Sequence, residues 1–263
     1  MALRVAFLAL VLLPFTLVGM PLQWVIVRFG LPGAQCLPAV FFKLAAFGLG
    51  LRVTLEGHEI AKGRTLLVAN HIGWLDIVAL ASAIPVSFVA KSEVSGWPLV
   101  GTLARLHRTI FVDRQRRTAT RRTAEAIGDR IAQGCPVLLF AEGTSGPGTH
   151  VLPFRSALMG AASATLAPAA RIQPLAIAYT KISGLPLSGA QRRQFAWIGD
   201  MEMRDTLGAI LSSGPKTVII AVGKPFPADA DRKQMAKKTR AQVRLMLNAL
   251  NRGLPLPKDG EVV

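Results

Sequence analysis

The chain is poor in cysteine, tyrosine and acidic residues. Among its 263 residues there are two cysteines, Cys36 and Cys135. One lies in an apolar stretch and the other in a Gly-Cys-Pro turn, so no disulfide scaffold is implied and reduced, cytosolic surroundings suit the chain. The four histidines, His58, His71, His107 and His150, are scattered without ligand spacing, and no metal or cofactor is expected. A single tyrosine and the absence of a recognisable recognition motif argue against nucleic acid as a partner. A serine-hydrolase elbow is missing as well. In Gly143-Thr144-Ser145-Gly146-Pro147 a proline occupies the place of the last glycine of Gly-x-Ser-x-Gly. The sequence shows no internal repeat, low-complexity tract or second domain boundary.

What is abundant is positive charge and apolar surface. Lys and Arg number 31 against 15 Asp and Glu, a net charge of +16, and 51% of the residues are hydrophobic. The charge concentrates in Arg114–Arg130 and Arg232–Arg252. The second run reads as an amphipathic helix, suited to an anionic membrane surface, although a solvated helix face explains it equally well. After Arg4, residues 5–27 are almost wholly apolar, long enough to approach the roughly 20 residues of a membrane span. Pro14 and Pro21 interrupt that run, and Cys36–Leu51 is a shorter apolar stretch carrying Lys43 as its one charge. A bent helical pair lying in one leaflet accounts for both features. A single span followed by an interfacial helix is the second reading. No small-x-small cleavage site follows the first run.

Short apolar runs at 52–56, 65–69, 86–90, 110–113, 137–140, 172–179 and 217–222 read as strands. Helices are expected at 77–83 and 118–133, the latter stopping at Gly134. Alternating strands and helices predict layered α/β structure with a mostly parallel sheet. An N-terminal membrane-anchoring region over 1–51 would precede a domain over 52–263 that includes the basic C-terminal helix.

One segment carries the chemistry. Asn70-His71-Ile72-Gly73-Trp74-Leu75-Asp76 falls where the strand at 65–69 hands over to a helix, the place where open α/β folds bind ligands. On a regular helix, positions i and i+5 lie about 140° apart, so Asp76 reaches the His71 ring only if His71 lies in the turn just before the helix or at its first residue. There the helix dipole disfavours an imidazolium and leaves a neutral base. A carboxylate on the second ring nitrogen would fix the tautomer and support the cation formed during proton transfer. Taken alone, the pair also fits a helix-start histidine and an exposed helix aspartate.

Other segments add to it: Phe88-Val89-Ala90-Lys91, Ile110-Phe111-Val112-Asp113-Arg114, Phe140-Ala141-Glu142-Gly143-Thr144 and Arg171-Ile172-Gln173-Pro174. In this order and at these distances the chain resembles the glycerolipid acyltransferase family, which includes the 1-acylglycerol-3-phosphate acyltransferases, over roughly residues 50–225. The resemblance implies an O-acyltransferase in which His71 deprotonates the acceptor hydroxyl and Asp76 orients it. The hydroxyl attacks the thioester of acyl-CoA or acyl carrier protein directly. Arg114, Glu142, Gly143 and Thr144 would hold the acceptor, supported by Asn70, Lys91, Phe111, Arg155 and Pro174. The fork of Arg114 suits phosphate, although a solvated arginine in a charged loop is an equal alternative.

Two positions depart from the family pattern. Arg108 stands where a glycine is usual, and Ser145 where an arginine usually follows Glu-Gly-Thr. Arg155 or Arg108 could replace the missing charge. Together with Gly199-Asp200-Met201-Glu202, these departures are similar to a bacterial branch that includes lyso-ornithine lipid acyltransferases. Its acceptor is a zwitterionic amino-acid lipid without phosphate. The resemblance thus implies a lysolipid acceptor, 1-acylglycerol-3-phosphate giving phosphatidic acid as the first expectation and lyso-ornithine lipid as the alternative. It also implies work at the cytoplasmic face of a bacterial inner membrane.

Overall fold

The computed structural model describes residues 1–113, 117–162, 169–197, 203–228 and 231–257. Its centre is a mixed sheet of nine strands whose main path runs β1-β8-β6-β2-β5-β3-β4. These are β1 (Leu51–Gly57), β2 (Thr65–Ala69), β3 (Ser87–Lys91), β4 (Ile110–Val112), β5 (Val137–Phe140), β6 (Arg171–Ile182) and β8 (Lys216–Val222). The two-residue strands β7 (Leu185–Pro186) and β9 (Phe226–Pro227) pair with β6 off this path. Pairing is parallel from β6 through β2, β5 and β3 to β4, and β8 runs antiparallel to β6.

Side-chain alternation divides the core between the two faces of the sheet. In β2, Leu67 and Ala69 face α3 (Cys36–Leu49) and α4 (Leu75–Ala83), whereas Leu66 and Val68 face α6 (Arg117–Ala132). All five β2 residues are buried, as expected for a central parallel strand covered on both faces. The basic helix α9 (Arg232–Arg252) lays Val243, Met246, Leu247 and Leu250 on β6 and β8. Asp231 caps its N-terminus by accepting from the Lys233 and Gln234 N–H groups, and Gly253 ends it in the left-handed conformation. Further helices among the described residues include α5 (Val100–Leu106), α7 (Gly189–Arg192) and α8 (Met203–Ser212).

The N-terminal apolar run is one helical path, Ala2–Arg28, long and apolar enough to cross a membrane by length and composition. It comprises α1 (Ala2–Phe7), a π-helical segment over Leu8–Leu12 and α2 (Leu13–Arg28). The wider turn comes just before Pro14, whose ring would clash with the carbonyl four residues back in a regular helix. Pro21 lies inside α2. Helix α3 is no free partner of this helix. Its Ala45, Ala46 and Leu49 belong to the same core cluster as Leu75, Leu80 and Ile220.

Arg108 explains one departure from the family pattern. Its φ is +61°, in the left-handed region where a glycine costs least. The peptide is held there by Arg130, whose guanidinium donates to the Arg108 carbonyl at 3.1 Å and to Ser87 Oγ at 2.9 Å.

Candidate active site

Strands β2 and β5 are hydrogen-bonded neighbours with Ala69 opposite Phe140, so the loops that leave their carboxyl ends meet. His71 lies in the first loop, ahead of α4, and Asp76 is in the first turn of that helix. The second loop runs from Ala141 through Gly148. Two backbone contacts join them: the Gly146 N–H donates to the His71 carbonyl at 2.7 Å, and the His71 N–H donates to Glu142 Oε2 at 2.9 Å.

Asp76 is fully buried and holds the arrangement. Its Oδ2 lies 2.9 Å from His71 Nδ1 and accepts from the N–H groups of Ile72 at 2.6 Å and Gly73 at 3.0 Å. Its Oδ1 accepts from the Tyr179 hydroxyl at 2.8 Å. Such a carboxylate cannot rotate, so it holds the imidazole with Nδ1 toward itself and leaves Nε2 as the basic nitrogen. The ring is 18% exposed and stacks on Phe140 with centroids 4.0 Å apart. It is therefore positioned but reachable.

Tyr179 is the residue that the sequence did not single out. It sits on β6, more than a hundred positions after Asp76, and stacks on Phe195 at 4.6 Å. Burial, and then the Asp76 charge and hydrogen bond, raise the pKa of the Tyr179 phenol well above its ordinary value, so it stays a donor. Gly73 is a second such residue. A Cβ there would come within 2.5 Å of the Phe195 carbonyl, in a loop whose Trp197 N–H donates to the Ile72 carbonyl at 2.8 Å. Gly73→Ala is expected to push the two loops apart and lower activity about tenfold or more at unchanged expression, checked by comparing turnover with the thermal transition.

Glu142 has both oxygens on backbone: Oε2 on the His71 N–H and Oε1 on the Leu152 N–H at 2.8 Å. Burial pushes its carboxyl up to about 7, against the pull of those two bonds, with Asp76 adding to the rise and Arg240 opposing it. A carboxyl raised in this way contributes stability below its ordinary value of 4.5, which is lost as the pH rises through about 7. Urea unfolding at pH 5 and pH 8 is expected to show the wild type losing more stability between the two than Glu142→Gln. Equal losses would mean that Glu142 titrates normally.

The other residues singled out by sequence fall in different surroundings. Asn70 is buried and exchanges two bonds with Ile177 on β6, its amide donating to the carbonyl at 3.1 Å and its oxygen accepting from the N–H at 2.9 Å. It clamps β2 to β6 rather than lining an opening. Gly143 has φ +74°, and a Cβ there would meet the Arg155 side chain at 2.9 Å, which brings that exposed guanidinium to the glutamate loop. Thr144 is exposed in the same loop. The Ser145 hydroxyl donates to the Trp197 carbonyl, so it ties the loop to the one beyond Phe195. Lys91 ends β3 exposed, Phe111 is half-buried in β4, and Pro174 lies on β6 opposite Val68. Arg114 and the Gly199–Glu202 segment lie outside the described residues.

Comparison with known proteins gives a consistent picture. A family model described as Acyltransferase matches residues 52–178. The chain is 37% identical over 256 residues to a lyso-ornithine lipid O-acyltransferase of Brucella abortus (strain 2308), covering 95% of each chain. It is 35% identical over 119 residues to a 1-acyl-sn-glycerol-3-phosphate acyltransferase of Neisseria gonorrhoeae, covering 45% of this chain and 46% of that one. The fold is similar to the crystal structure of the 1-acyl-sn-glycerophosphate acyltransferase PlsC from Thermotoga maritima, with a TM-score of 0.57, 20% identity and 95% of both chains covered.

Proposed function

The chain belongs to the acyltransferase family, and from that premise we propose that it acylates the free hydroxyl of lyso-ornithine lipid, with His71 as general base and Asp76 as its orienting acid. The observation that carries the mechanism is the buried Asp76 carboxylate, fixed by two backbone N–H groups and Tyr179 and set 2.9 Å from His71 Nδ1. His71 Nε2 takes the acceptor's hydroxyl proton as its oxygen attacks the thioester carbonyl of acyl-CoA or acyl carrier protein. The new C–O bond forms, the C–S bond breaks, and the imidazolium returns its proton to the departing thiolate. No acyl-enzyme is needed.

Two features support the acceptor. The Brucella abortus relative, named for that lipid, aligns over 95% of this chain, whereas the Neisseria gonorrhoeae relative named a 1-acyl-sn-glycerol-3-phosphate acyltransferase aligns over 45%. The position that would offer a phosphate-binding arginine holds Ser145, whose hydroxyl is spent on Trp197. Arg155, beside Gly143, is placed to meet a carboxylate of an amino-acid head group.

The work is done at a membrane, and insertion into one leaflet suits the N-terminal helix best. Arg4 donates to the Leu211 and Ser213 carbonyls near the end of α8, and Gln23 donates to the Leu106 carbonyl at the end of α5. These ties are 19 helical residues apart, about 28 Å of helix, close to the thickness of a bilayer's hydrocarbon core. A spanning orientation would carry part of the catalytic body across with the helix. Lying along the surface, the helix turns the exposed Leu13, Leu17 and Trp24, which share one face, to lipid while both ties hold. The basic surface and reduced cysteines suit the cytoplasmic face of the inner membrane.

Purified protein offered a labelled acyl thioester with lysophosphatidic acid and lyso-ornithine lipid in parallel is expected to acylate the amino-acid lipid. Transfer to lysophosphatidic acid alone would overturn the acceptor, and transfer to neither would overturn the activity.

A further inference from the structure

Helix α9 leaves Lys233, Lys237, Lys238 and Arg244 exposed. Arg240, in the same basic run, behaves differently. It is half-buried, and its fork turns inward to two backbone carbonyls, Nε donating to Leu152 at 2.9 Å and Nη2 to Val151 at 3.1 Å. The Val151 carbonyl and the Leu152 N–H belong to one peptide group. In a trans peptide the two point in opposite directions, so holding the oxygen aims the N–H the other way. That N–H donates to Glu142 Oε1 at 2.8 Å, and Glu142 Oε2 accepts from the His71 N–H at 2.9 Å. A guanidinium on α9 is thus connected to the backbone of His71 through one peptide and one carboxylate.

The two charged groups in this series strengthen the neutral bonds between them. Glu142 is where that matters. An ionised carboxylate accepts from both N–H groups, whereas a carboxylic acid has its own O–H to place. Of the charged side chains acting on Glu142, Asp76 raises its pKa and Arg240 lowers it, so Arg240 favours the form that accepts both bonds. The loop itself does not hang on Arg240. Val151 is buried in one apolar cluster with Val243, Met246 and Leu247 of α9. Near the end of the same helix, Asn251 donates to the Gly148 carbonyl at 3.0 Å. Without the guanidinium the loop stays docked, and what is released is the orientation of the Val151–Leu152 peptide.

We propose that Arg240 is a positioning residue for the reaction, holding the Val151–Leu152 peptide so that Glu142 keeps its grip on the backbone of His71. Its effect on turnover rests on the reading of His71 as the base, but its effect on the backbone does not. The test is a double-mutant cycle of Arg240→Met and Glu142→Gln on the full-length protein in lipid nanodiscs. Arg240→Lys, which keeps the stem and the charge without the planar fork, serves if Arg240→Met does not fold. Arg240→Met is expected to lower turnover about tenfold while the acceptor KM stays within about twofold. Hydrogen exchange at the His71 and Leu152 amides should quicken about tenfold. Glu142→Gln leaves one acceptor for the two N–H groups, so adding Arg240→Met to it should cost no more than about twofold further. Losses that multiply would make Arg240 a prop acting apart from Glu142 and would overturn the proposal. So would wild-type turnover, or unchanged exchange at both amides, in Arg240→Met. Quickened exchange in a protein whose wild type transfers no acyl group would count against the acyltransferase reading and leave the hold on His71 standing.

Discussion

His71→Ala is expected to lower acyl transfer by at least about 10²-fold and as much as 10⁴-fold, the range contributed by a positioned general base. The fold should survive it. The ring is partly exposed, its backbone bonds to Glu142 and Gly146 do not depend on the side chain, and the stacking on Phe140 is worth about 1 kcal/mol. Single-turnover transfer measured beside the thermal transition separates the two effects. A loss under tenfold, with the transition unmoved, would mean that holding donor and acceptor together carries the acceleration and that His71 is not the base.

Asp76→Ala is expected to damage both activity and stability. The carboxylate accepts from Ile72 N–H, Gly73 N–H and the Tyr179 hydroxyl, and it engages His71 Nδ1, all in a fully buried place. Removing it strands the buried donors, at about 1–3 kcal/mol for each one left unmet. A fall in unfolding free energy of about 3 kcal/mol or more is expected in urea, together with loss of transfer. Asp76→Asn should separate the two. Its carbonyl oxygen can take over the bonds of Oδ2, and its amide can donate to Tyr179 once that hydroxyl turns to accept. Stability should then stay near wild type while transfer falls, because the charge that steadied the imidazolium is gone. Full activity in Asp76→Asn would rule out that electrostatic role.

The strands were legible because they are short apolar runs bounded by turn residues. Runs at 65–69 and 137–140 coincide with β2 and β5 to the residue. The amphipathic pattern likewise gave α9 its full length from Arg232 to Arg252. Helices α5 and α8 were not read. Each is only two to three turns long, too short to be told from a loop by periodicity alone; α5 packs on the N-terminal helix α2, and α8 packs on the turn at Arg193–Phe195. The N-terminal pair was expected to be a membrane element, yet α3 buries one face in the sheet's own core. An all-apolar helix reads the same whether its inner face meets lipid or protein.

The sequence by itself determined the family, the layered α/β class and the loop in which a histidine precedes an aspartate by five residues. Those features are local, and local spacing is what a sequence displays. The tertiary structure decided what the aspartate's remaining bonds would be, because Tyr179 arrives from a strand 103 positions away. It also decided that Glu142 grips the backbone of His71, that Gly73 must lack a side chain, and that Arg240 of α9 holds the peptide beside Glu142. Each of these depends on which strands lie side by side and how closely two loops approach. Such distances are set by packing the whole sheet between its helices, and no window of the sequence contains them.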